Sequence, residues 1–117
     1  MIFETRELVF TPTALKKAFE WYATIPNQSD LPHGIITQVI PRQGGGATVL
    51  IQQSGASKLR EVAFNASKTL GALLYFCRKQ RIPVPRDAEK DIIADGETIL
   101  IHIYAKTKVT SPGTHGG

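Results

Sequence analysis

One cysteine, one methionine, one tryptophan and no apolar run near the ~20 residues of a membrane span set the first limits on this 117-residue chain. A single thiol excludes an internal disulfide and any multi-cysteine metal site, so the default compartment is a reducing cytoplasm. No H-x-x-x-H, no Cys/His pair, no G-x-S-x-G elbow and no Gly-Lys-Ser/Thr phosphate loop occurs. The opening MIFETREL carries acids and no apolar h-region, which does not fit a secretory signal. Acids are also scarce where bases gather. Residues 1–54 hold four basic and four acidic groups, whereas residues 55–117 hold ten basic against six acidic, so the whole +4 excess lies there.

What is present is a repeat. Glu7-Leu8-Val9-Phe10-Thr11 lines up with Glu61-Val62-Ala63-Phe64-Asn65. With one residue inserted, Leu15, Ala18, Phe19 and Tyr22 fall on Leu70, Leu73, Leu74 and Cys77. Val39-Ile40 then matches Ile92-Ile93, and Thr48-Val49-Leu50-Ile51 matches Thr98-Ile99-Leu100-Ile101. Several matches in one order point to an internal duplication.

Each copy reads as strand, helix, strand, strand. Thr11 before Pro12 is a helix N-cap with proline at the first helical position, and Asn65 is the equivalent cap. The apolar stripes that follow have the helical period, and Pro26 and Pro83 are expected to end them. Asp95-Gly96 between β-branched runs signals a tight hairpin, and Gly44-Gly45-Gly46 joins the other one. The expected fold is α+β: a duplicated βαββ unit with about six mainly antiparallel strands and two helices on one face. One domain spans 1–106, with copies at about 4–53 and 59–105, and 107–117 is expected to be a flexible tail. In element order alone this resembles the strand-helix-strand-strand module, whose duplicated form occurs in GyrI-like small-molecule-binding domains. That resemblance implies a ligand cleft at a pseudo-twofold axis and assigns no residues.

Candidate chemistry is sparse. Cys77 lies mid-stripe and reads as packing, His33 and His115 lie in a loop and the tail, and no catalytic or metal-ligating set emerges. No cofactor is implied. Arg78, Lys79, Arg81 and Arg86 form a basic stretch at the end of the second helix, a candidate site for nucleic acid or another anionic partner. The macrodipole accounts for cations in a last helical turn. It does not require this many, since the first copy leaves its helix through TIPNQSDLPH without lysine or arginine. Trp21 and Phe76 correspond in the two helices and are candidates for the rim of a groove between them. Both faces of the hairpin strands carry apolar residues, so the face turned from the helices, with Leu100, His102 and Tyr104, is a candidate interface or ligand surface. These features describe a non-enzymatic binding or assembly module that self-associates through an open sheet face as a homodimer. The alternatives are a nucleic-acid-associated protein using the basic helix end, or a small-molecule-binding domain of GyrI-like type.

Overall fold

The computed structural model describes residues 1–109. Eight elements follow in the expected order: β1 (Ile2–Phe10), α1 (Pro12–Ala23), β2 (Ile35–Pro41), β3 (Ala47–Gln52), β4 (Arg60–Phe64), α2 (Ala66–Lys79), β5 (Glu89–Asp95) and β6 (Thr98–Thr107). Among the described residues no helix is long and apolar enough to cross a membrane. Thr107, expected to open the flexible tail, instead closes β6 opposite Ile2. Residues 110–117, with His115, lie outside the described residues.

The strands form two antiparallel three-stranded sheets, ordered β1-β6-β5 and β2-β3-β4. Each sheet combines a hairpin from one copy with the opening strand of the other. The seven-residue linker 53–59 lets β4 fold straight back onto β3, which leaves β1 to pair with the distant β6. Neither copy completes a sheet alone, so the duplication is built into the architecture.

Both helix caps form as expected. The Thr11 hydroxyl accepts from the Ala14 N–H, and the Asn65 carbonyl oxygen accepts from the Lys68 N–H. The inserted residue is not needed. Counting from these caps, Leu15, Ala18 and Phe19 correspond to Thr69, Ala72 and Leu73, and all six are fully buried. A threonine at a core position had concealed the match. Thr69 places its hydroxyl in the core without a partner. Trp21 is therefore equivalent to Tyr75, not to Phe76. The hairpins shift too: Phe10 pairs with Ile99 while Phe64 pairs with Ala47, two residues from the sequence match. A two-residue slip preserves the side of the sheet each residue faces. For that reason Ile99, Ile101 and Ile103, like Ala47, Val49 and Ile51, all point into the core.

Aromatic contacts tie the copies together. Phe64 of β4 meets Phe19 of α1 edge-on at 5.0 Å, and Phe10 of β1 lies 6.5 Å from Phe76 of α2. The α1–β2 loop is pinned to the second copy through Asp30, which accepts from the Tyr22 hydroxyl and pairs with Lys68 at 3.0 Å. Burial, then the Asp30 contact, pushes the Tyr22 hydroxyl up to about 12. The hydrogen bonds from Tyr22 and Lys68 hold the Asp30 carboxyl below its ordinary range.

The glycine loop between β2 and β3 has a packing role. Gly45 is buried at φ +91°, and a Cβ there would lie 2.7 Å from the Ile92 side chain and 2.9 Å from its carbonyl oxygen. Gly44 has nearly the same φ, +89°, but faces open space. Both alanine variants carry the left-handed penalty of about 1–2 kcal/mol. Gly45→Ala is expected to cost about 1–3 kcal/mol more than Gly44→Ala, because only it forces the hairpin off β5. Equal midpoints in urea would contradict that contact.

Candidate anion-binding groove

The basic segment begins at the end of α2. The Ile82 N–H donates to the Cys77 carbonyl at 2.8 Å, and the Arg81 N–H donates to the Arg78 carbonyl at 3.2 Å. These are the two bonds of a Schellman stop, which places Arg81 in the left-handed region at φ 58°. The helix thus ends through this turn before Pro83 is reached. Glycine is the usual occupant of such a position. The equivalent residue in the first copy is Asn27, at φ 66°, and asparagine tolerates that conformation. Asn27 lies beyond the end of α1, whose C-cap is Thr24, whereas the second copy carries an arginine at the helix stop itself.

Beyond the turn, the chain crosses from α2 to β5. The Arg6 guanidinium on β1 donates to the Pro83 carbonyl at 2.7 Å and holds the crossing against the sheet. Between the helix end and this crossing lies a groove of about 590 Å³. Arg78, Arg81, Arg86 and Lys90 supply its charge, and no acidic residue lines it. Its floor includes Leu74 and Cys77. Burial pushes the Cys77 thiol up, against the opposing effect of Arg6. The packing role expected of this cysteine agrees with its near-complete burial.

The cations differ in how they are engaged. Lys90 donates to the backbone carbonyls of Arg86 and Ala88 at 3.2 and 2.9 Å, which fixes its ammonium at one wall. Among the described residues Arg78, Arg81 and Arg86 have no carboxylate partner; Lys68 pairs with Asp30, and His102 Nε2 contacts the Glu7 carboxylate. Lys79 does not line the groove. It and Arg78 flank the half-buried Tyr75 ring, 5.4 and 5.7 Å from its centre. Asp87 and Glu89 face a separate hollow on the other side of the crossing, with Phe3 and Tyr104, and Arg86 alone reaches both.

Three of the four expected cations, Arg78, Arg81 and Arg86, are therefore brought together, and the fold adds Lys90 with Arg6 nearby. Both additions were open to a strand-parity argument. Lys90 shares a face with Ile92 and Ala94, and Arg6 with Leu8 and Phe10, so each is a cation on the helix-facing side of its sheet.

The other candidates do not converge. Phe76 is buried in the core, whereas Trp21 is 42% exposed beside Lys17 and Glu20, so the two form no common rim. Leu100, His102 and Tyr104 do share the face of β6 turned from the helices. Leu100 stands between Val9 and Ile93 in one apolar row. The next row is charged: His102 lies between Glu7 and Asp91, its Nε2 2.8 Å from the Glu7 carboxylate. Tyr104 follows between Thr5 and Glu89. That alternation breaks the apolar patch expected there. Among the described residues no group of three or more His, Cys, Asp or Glu side chains is placed to hold a metal ion. No family model, curated protein or solved structure matches the chain.

Proposed function

We propose that the chain is a non-enzymatic binding module for a phosphate-bearing polyanion, and that its ligand is single-stranded nucleic acid. The observation that carries this reading is the groove at the end of α2, where three arginines without carboxylate partners meet a lysine held by backbone carbonyls. Guanidinium groups bind phosphate oxygens in pairs of parallel hydrogen bonds, and desolvating three of them together favours a multiply charged ligand. Tyr75 supports a single strand over a duplex. Its partly exposed ring, with Arg78 and Lys79 over it, becomes a base-stacking platform beside the phosphate track once those cations turn to phosphates.

The reading is tested by fluorescence anisotropy with a labelled oligothymidine at a series of salt concentrations. Three phosphate contacts predict a log–log slope of about −2 for a single strand, with a duplex of equal length competing poorly. Absence of binding at the lowest salt would sink the proposal, and a salt-independent affinity would remove the arginines from it.

A further inference from the structure

Four strands lie at sheet edges: β1, β2, β4 and β5. Natural sheets protect their edges with brevity, prolines, bulges, charges or a covering loop. Three of these edges show such devices. Strand β2 has a register break between Ile36 and Gln38 and ends in Pro41, and β4 is five residues long and begins Arg60-Glu61. Strand β5 begins Glu89-Lys90-Asp91 and has Gly45 packed on the Ile92 carbonyl. Strand β1 carries charges as well, Glu4, Arg6 and Glu7, and what sets it apart from the other three is its length. It runs nine residues, Ile2–Phe10, in unbroken register with β6 on one side, and contains neither proline nor lysine. Among the described residues no backbone hydrogen bond from a turn or loop reaches its other side. It also exposes Ile2, Phe3 and Val9 at 57%, 68% and 53%.

The sequence of this edge complements itself. Two copies joined by a twofold axis through an antiparallel strand pair keep the same face up, so only residues of like parity stand opposite one another. With Thr5 on the axis, Glu4 of each copy faces Arg6 of the other, Ile2 faces Leu8, Phe3 faces Glu7, and Thr5 faces Thr5. Moving the axis to Glu4 or to Arg6 puts like charges opposite each other. Arg6 gives one guanidinium nitrogen to Pro83 and keeps further donors for a carboxylate. Cross-strand opposite charges and paired threonines both stabilise an antiparallel ladder.

We infer that β1 is the self-association edge of this protein, and that its occupant is β1 of a second copy, centred on Thr5. The pairing joins two β1-β6-β5 sheets into one of six strands. The groove arginines Arg78, Arg81 and Arg86 take no part in it, although Arg6 also holds the crossing that walls the groove.

Sedimentation velocity of the full chain at high micromolar concentration tests this with two charge variants. Glu4→Arg and Arg6→Glu each set like charges opposite one another twice, and each is expected to weaken self-association by at least about tenfold. An equimolar mixture of the two restores opposite charges at both places and is expected to recover dimers. Glu4 is exposed, so Glu4→Arg carries the test alone should Arg6→Glu fail to fold without its Pro83 contact. A monomeric wild-type chain overturns the proposal. So does a dimer indifferent to both substitutions, which places the contact on another surface, or a mixture that stays monomeric.

Discussion

Replacing Arg78, Arg81 and Arg86 together with glutamate is expected to lower affinity for a single-stranded oligonucleotide by roughly a thousandfold or more at low salt. Each arginine contributes a charge-assisted contact, and each glutamate adds repulsion in a groove with no other acid lining it. The salt slope is expected to flatten with the loss, because slope counts phosphate contacts and affinity alone does not. A triple variant that still binds tightly would move the site elsewhere on the protein.

Arg81 separates function from stability within the same prediction. Its left-handed backbone at φ 58° costs a non-glycine residue about 1–2 kcal/mol. Arg81→Gly is accordingly expected to stabilise the fold by about 1 kcal/mol, less the entropy that glycine adds to the unfolded chain. The same substitution is expected to weaken oligonucleotide binding. A side chain retained solely to end the helix would give neither this trade of stability for binding nor its opposite signs. If Arg81→Gly destabilises the protein and leaves binding intact, the arginine serves the fold instead.

The architecture was readable from local signals that survive small errors of alignment. Caps at Thr11 and Asn65, the Asp95-Gly96 turn and alternating strands each depend on a few neighbouring residues. A two-residue error in matching the hairpins leaves Ile99, Ile101 and Ile103 on the face opposite Leu100, His102 and Tyr104, because side-chain direction repeats every two residues. What local signals omit is which strand pairs with which. A βαββ unit does not announce that its opening strand belongs to the other copy's hairpin, since that depends on the span of the 53–59 linker and on the Ile2–Thr107 pairing. The groove was half legible for the same reason. Arg78, Arg81 and Arg86 are close in sequence, while Arg6 arrives from the far end of the chain. The assignment of Trp21 to the slot of Phe76 failed at Thr69, a polar residue in a core position that an apolar-stripe search passes over.

Phe19→Ala is expected to cost about 3–5 kcal/mol, the range for removing a fully buried phenylalanine ring. That is a large part of the ~5–15 kcal/mol that holds a domain of this size together. The ring stands edge-on to Phe64, so the substitution removes the contact between the first copy's helix and the second copy's opening strand. Because each sheet mixes strands of both copies, loosening that contact cannot release one copy while the other stays folded. The variant is therefore expected to unfold in guanidinium as a single transition at a lower midpoint. Trp21 fluorescence, reporting on α1, and far-ultraviolet circular dichroism, reporting on all elements, should coincide. Two separated transitions would show that the copies unfold one at a time, and would contradict the interleaved pairing of β1 with β6 and β4 with β3.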